Sequence, residues 1–362
     1  MEVSKINSLV ELFFKKLEEV DNKKLLLNSL KSEKKTYSWS DISERIFKLS
    51  SKIKKLIKSG DKCLILSENN PNWFISDIAI MNAGGISVPI FTTYSANDYK
   101  FILEDCNPTL VIVSNNTQFK KIKEFVNDKS IEIISFEKID TKSYLIEDIF
   151  KETLNDKIIN NNLKRNMPAC IIYTSGTTAN PKAVMLSHEN LTWTAWVLAT
   201  GAFNMAENDR TISYLPLSHI AEQMTTIHGP LVVGAMVSFV ESFDKLAENL
   251  KEVRPTLFLG VPRVWEKFEE KYRIPLLHYE SHDPIMVQCI KNCRNDRLER
   301  DERKSNPNER KSYDTSRRSP TYNLWGVTLP RPFDAKTFKL KVGRRRIAHN
   351  KQGAKRLLRL VV

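Results

Sequence analysis

The richest chemistry in the chain lies between residues 169 and 188. Ala169-Cys170-Ile171-Ile172-Tyr173 is a short apolar run that reads as a buried strand. It feeds a stretch in which Thr174, Ser175, Thr177 and Thr178 crowd around Gly176, and Pro181-Lys182 follows. A loop of this kind can turn several backbone N–H groups toward one point and so hold an anion. The hydroxyls add donors, and Lys182 adds a compact positive charge suited to phosphate. A Ser/Thr-rich surface turn is the plainer reading of the same residues. A strand leading into a hydroxyl-rich loop that ends in lysine favours phosphate binding. The Walker A pattern does not apply, because Lys182 is flanked by Pro181 and Ala183 and not by glycine and a hydroxyl residue.

A second group stands at 211–223, where Thr211-Ile212-Ser213-Tyr214-Leu215 reads as a strand ended by Pro216. A capped helix is expected next, with His219 and Glu222 at i,i+3 on one face. Read as metal ligands, the two lack a third. A histidine at a helix terminus held by a nearby carboxylate is the commoner arrangement. His278, His282, Cys289 and Cys293 have spacings within reach of zinc, but no framework of strands or turns surrounds them.

These groups need a scaffold, and the pattern is that of an α/β protein. Amphipathic helical spacing at 6–19 is followed by a helix from Ser40 to Ile57, a strand at 63–66, a helix at 73–82 and a strand at 86–90. A helix starts after Ser95, further strands are expected at 110–113 and 131–134, and Ser187 caps another helix. Strands alternating with helices imply largely parallel sheets. The length suggests two or three domains. Five thinly spread cysteines, an odd number, argue for a reducing compartment. With no signal-peptide core at the start and no apolar run of about 20 residues, a cytoplasmic protein is expected.

The net charge of +13 is unevenly placed. Residues 1–272 carry 34 Lys+Arg against 34 Asp+Glu, whereas residues 273–362 carry 22 against 9. The bases also change from 29 Lys and 5 Arg to 8 Lys and 14 Arg. Something different therefore begins near Arg273. Its charged, weakly hydrophobic run at 292–319 reads as disordered. An arm that binds anionic membrane peripherally, or nucleic acid, is a further reading; nucleic acid is disfavoured because isolated Arg runs are usually only solvated.

The loop at 173–184 resembles the phosphate-binding signature of the adenylate-forming enzymes, Tyr-Thr-Ser-Gly-Thr-Thr-Gly-x-Pro-Lys-Gly-Val. It departs twice, with Ala179 and Ala183 for glycines. Where a glycine has positive φ, alanine costs about 1 kcal/mol. Gly60-Asp61-Lys62, Pro71-Asn72-Trp73 and Ala83-Gly84-Gly85 occur in the family's order ahead of the loop. Leu215-Pro216-Leu217-Ser218-His219 is similar to a second family motif, and Val261-Pro262-Arg263-Val264-Trp265-Glu266-Lys267 to one of the long-chain acyl-CoA synthetases. With Ile227-His228-Gly229-Pro230, the pattern is closest to the bubblegum-type branch.

The resemblance covers roughly residues 35–271. It implies the N-terminal domain of the acyl-CoA synthetase/luciferase fold over residues 1–272, incomplete, followed by an irregular basic tail over 273–362. It implies an ATP-dependent ligase that uses Mg2+, ATP, a fatty acid and coenzyme A. Thr174, Ser175, Gly176, Thr177, Thr178 and Lys182 would hold phosphates, with Thr174 and Lys182 closest to the chemistry. His219 would line the nucleotide cleft without carrying a proton. Trp193, His228 and Gly260 would lie along the acyl pocket. No protein ligand for a resident metal is assigned. The family's later elements are a Gly-x-Thr/Ser-Glu magnesium motif, a ribose-binding Asp and a catalytic Lys on a small C-terminal domain. None has a counterpart after Tyr272, which reads as a truncated or frameshifted end. The alternative is a non-catalytic remnant that binds ATP or fatty acid only.

Overall fold

The computed structural model describes residues 3–31, 34–126, 130–154, 156–174, 181–261, 264, 321–324 and 327–330. Contacts divide the chain into one unit of Met1–Leu257 with Leu360–Val362, and a second of Phe258–Arg359. The charge switch near Arg273 lies within the second unit.

The first unit begins with a 3-10 turn and helix α1 (Leu9–Glu19), whose cap Ser8 accepts from the Glu11 N–H at 3.0 Å. Strands β1 (Leu25–Ser29) and β2 (Lys35–Ser38) precede α2 (Trp39–Leu56). The cap of α2 is Ser38 and not Ser40, because Ser38 is extended and Asp41 stands three residues on to complete a capping box. The alternation then runs β3 (Lys62–Leu66), α3 (Pro71–Ala83), β4 (Ile86–Pro89), α4 (Ala96–Cys106), β5 (Leu110–Val113), α5 (Asn116–Val126) and β6 (Glu132–Ser135). Next come β7 (Tyr144–Leu145), α6 (Ile146–Lys151), β8 (Pro168–Thr174), β9 (Lys182–Ser187) and α7 (His188–Trp196). Last are β10 (Arg210–Ser213), α8 (Ile220–Glu222), α9 (Gly229–Val233), β11 (Met236–Phe239) and α10 (Leu246–Val253).

Two sheets result. The larger has the order β7-β6-β5-β3-β4-β8-β9, with β9 alone antiparallel to its neighbour. The smaller has the order β10-β11-β1-β2, with β10, β11 and β1 parallel and β2 antiparallel. Helix α3 touches β3 and β4 of the first sheet, β1 of the second, and α1 and α2. It is therefore buried on every side, which explains why its sequence is apolar around the whole circumference. Phe13 stacks on Trp39 at 5.3 Å and tilts toward Phe74 at 6.2 Å, fastening α1 and α2 to it. A second core, with Leu64, Val88, Val111, Tyr99 and Phe119, joins the large sheet to α4 and α5. Each such side chain, fully buried, contributes about 1.5–3 kcal/mol.

Strands β8 and β9 form a hairpin in register from Cys170↔Leu186 to Thr174↔Lys182, with a one-residue shift before it at Pro168↔Ser187. Ala183 lies inside β9 opposite Tyr173 and is not among the residues with positive φ. The glycine expected there is therefore replaced without the backbone strain that a left-handed position would impose; Ala179 lies outside the described residues. No helix among the described residues is long and apolar enough to cross a membrane.

In the second unit, β12 (Thr321–Leu324) and β13 (Val327–Pro330) pair antiparallel from Thr321↔Pro330 to Leu324↔Val327. The expected disorder at 292–319 and the zinc-spaced residues His278, His282, Cys289 and Cys293 lie outside the described residues.

Candidate nucleotide-binding site

In an open parallel sheet, ligands bind beyond the carboxyl ends of the strands, where the connecting loops splay apart. The hydroxyl-rich loop follows β8, and the segment leading to His219 follows β10. Thr174 is the last residue of β8 and Lys182 the first of β9, and both are exposed. Thr174 Oγ1 donates to the Lys182 carbonyl at 3.4 Å, so the pair closes the mouth of the loop. Ser175, Gly176, Thr177 and Thr178 lie outside the described residues.

Two tyrosines hold the base of this hairpin. Tyr94, which follows β4, donates its hydroxyl to the Tyr173 carbonyl at 2.9 Å. Tyr173 donates its own hydroxyl to Asp105 Oδ2 at 2.6 Å. Burial pushes the Tyr94 phenol up to about 12, and burial together with Asp105 pushes that of Tyr173 up as well. Both hydroxyls stay protonated and serve as fixed donors. Tyr173 opens the signature read from the sequence, but Tyr94 did not stand out, because it is one aromatic among several until the strands are aligned.

The other wall is the segment 214–219, which leaves the end of β10. Asn69, just beyond β3, bonds to this segment from the larger sheet: its Nδ2 donates to Ser213 Oγ at 2.8 Å and to the Leu215 carbonyl at 2.6 Å. Asn69 thus ties the segment to the end of β3, and β4 alone separates β3 from β8, whose last residue is Thr174. Glu68, beside Asn69, accepts from Ser114 Oγ at 2.6 Å and from Gln118. Burial alone would raise its carboxyl, but these hydrogen bonds outweigh burial and hold it below the usual range.

His219 is not helical. It caps α8, its exposed ring accepting the Ala221 N–H on Nδ1 at 3.1 Å. In the neutral ring the proton then sits on Nε2, which is free to donate. Glu222 is 1% exposed and faces the other way, accepting the Tyr214 N–H at 3.0 Å. The expected common face for His219 and Glu222 therefore does not form, because a cap residue stands outside the helical spiral that i,i+3 spacing assumes. Burial pushes the Glu222 carboxyl up to about 8, against hydrogen bonds from Ser213 and the Tyr214 N–H.

The residues expected along the acyl pocket have different surroundings. The Trp193 side of α7 faces solvent, at 53% exposure. His228 is fully buried at the end of a π-helical turn, Gln223–His228, with Nε2 3.7 Å from Asp77 Oδ2 on α3. Gly260 belongs to the second unit and is half-buried. His188, the first residue of α7, is also buried; burial lowers its imidazole to about 4, with Asp77 opposing.

The sequence profile described as AMP-binding enzyme matches residues 14–306. Over 231 residues the chain is 41% identical to long-chain-fatty-acid–CoA ligase ACSBG2 of Gallus gallus, covering 58% of this chain and 30% of that protein. It is 37% identical over 238 residues to the Homo sapiens ACSBG2, covering 60% and 35%. With ACSBG1 of Bos taurus it shares 37% over 226 residues, covering 57% and 31%. The chain thus spans about a third of the length of these relatives. Among solved structures, a long-chain-fatty-acid-CoA ligase (FadD1) from Archaeoglobus fulgidus superimposes with TM-score 0.63 at 21% identity, covering 71% of this chain and 52% of that one. An anthranilate CoA ligase in complex with anthranoyl-AMP gives 0.65 at 21%, covering 72% and 52%. At such identities the structural likeness concerns the fold.

Proposed function

Because the chain belongs to the AMP-binding enzyme family, we propose that it carries the nucleotide-binding part of an ATP-dependent long-chain fatty-acid–CoA ligase. The observation that carries this reading is the family match over residues 14–306, within which Lys182 stands exposed at the mouth of the β8–β9 hairpin. In the first step a fatty carboxylate oxygen attacks the α-phosphorus of ATP, the bond to the bridging oxygen breaks, and pyrophosphate leaves with its electrons. In the second step the thiol of coenzyme A attacks the acyl carbon, loses its proton, and AMP departs.

The carboxylate is already ionised near neutral pH and needs no general base. The chain's part is to hold and neutralise phosphate charge. Lys182, exposed at the start of β9, suits the β- and γ-phosphates and the departing pyrophosphate. Thr174, with Ser175, Gly176, Thr177 and Thr178, would add hydroxyl and backbone donors. His219 would offer Nε2–H from the facing wall. Among the described residues no cluster of three His, Cys, Asp or Glu side chains could hold a metal ion. Magnesium would arrive bound to ATP.

The test is ATP binding and pyrophosphate release by the full chain with palmitate, magnesium and coenzyme A. Binding and release, both lost in Lys182→Ala, support the ligase. Binding without release supports the reading as a nucleotide-binding remnant. A wild-type chain that binds no ATP refutes both.

A further inference from the structure

The segment 214–219 has no regular secondary structure, and His219 N–H to the Pro216 carbonyl at 2.9 Å is a lone backbone bond within it. A connection of that kind is normally drawn from the less stable parts of a fold. Here, however, Leu217 and Ser218 are buried, at 1% and 5% exposure. Side chains supply the missing partners. Asn69 uses both ends of its amide: Nδ2 donates to Ser213 Oγ and the Leu215 carbonyl, and Oδ1 accepts the Leu217 N–H at 3.0 Å. Gln223 Nε2 donates to the Leu217 carbonyl at 2.7 Å. Glu222 takes the Tyr214 N–H. Four main-chain groups of the segment are thus hydrogen-bonded by three side chains.

The three come from two directions. Asn69 belongs to the end of β3 in the large sheet, whereas Glu222 and Gln223 open the helical stretch that follows the segment itself. Gln223 also begins a π-helical turn, a feature frequent at functional sites. These contacts fix individual backbone groups and thereby the position of the capping residue at the segment's end.

We infer that Asn69, Glu222 and Gln223 are positioning residues of the nucleotide site, fixing the segment 214–219 and with it the exposed ring of His219, whose Nε2–H is then held ready for the nucleotide. The inference rests on reading His219 as a residue of the ATP site.

Asn69→Asp tests it on the full chain. The substitution keeps the side chain's shape and the acceptor for Leu217, but sets a carboxylate oxygen against the Leu215 carbonyl in place of a donor. Titration calorimetry with magnesium and ATP compares wild type, Asn69→Asp, His219→Ala and the double variant. Asn69→Asp is expected to weaken binding about tenfold, the size of one well-placed hydrogen bond. Since it acts through His219, the double variant should bind no worse than the weaker single variant. Asn69→Asp binding within about twofold of wild type, or losses that multiply in the double variant, overturns the inference while leaving the nucleotide reading intact. A wild-type chain without ATP binding overturns both. Should Asn69→Asp fail to fold, Gln223→Met, which removes a single donor to Leu217, is judged by the same two criteria.

Discussion

Replacing Glu222 by glutamine separates the two things this residue does. Glutamine keeps an oxygen for the Tyr214 N–H and removes the ionisation of a carboxyl that is 1% exposed. Burial moves that carboxyl from the ordinary 4.5 to about 8. Within that window the folded chain keeps a proton that the unfolded chain has lost, so stability falls as pH rises; below the window the group contributes nothing. At about 1.4 kcal/mol per pH unit, the full cost approaches about 5 kcal/mol. Glu222→Gln is thus expected to gain about 4 kcal/mol at pH 8 and about 1 kcal/mol at pH 5. Urea unfolding followed by tryptophan fluorescence at the two pH values measures both gains, provided the slope with denaturant is unchanged. Equal gains at both pH values would show that Glu222 does not change ionisation in the window. A loss at pH 8 would show that its charge is compensated within the fold.

His188 should act in the opposite sense. Its imidazole is lowered from the ordinary 6.5 to about 4, and its Nδ1 accepts the Leu9 N–H at 3.4 Å, which protonation forbids. The unfolded chain therefore binds the proton first as pH falls, and up to about 3 kcal/mol is lost between those limits; His188→Gln should flatten this part of the thermal-midpoint profile. Cys63, Cys106 and Cys170 are buried with their thiols pushed up, that of Cys106 to about 12. Mass-spectrometric mapping after brief iodoacetamide treatment should find these three unlabelled in the native protein and labelled in urea, because the thiolate is the reacting form. Labelling of Cys170 without denaturant would contradict the burial of β8.

What could be read from the sequence was local. The strand before Thr174, the helix starts at Ser95 and Ser187, and the helix at 73–82 follow from neighbours within a few residues, and all stand in the structure. Strand β1 escaped notice because Leu25–Ser29 is too short to show a period. Strand β9 was hidden because a phosphate-type loop and a hairpin share turn residues at one end. Ser38 displaced Ser40 as a cap by a contact three residues away, the limit of what local pattern can resolve.

The sequence by itself determined the class of the protein, the place of the hydroxyl-rich loop and the presence of Lys182 at its end, since these depend on residue type and order. Only the tertiary structure decided that Asn69 reaches across 146 residues to Leu215, that Glu222 turns inward while His219 turns out, and that His228 stands beside Asp77. The physical reason is that hydrogen bonds and burial join groups by distance in space. Spacing along the chain predicts that distance only within one regular element, and the segment 214–219 belongs to none.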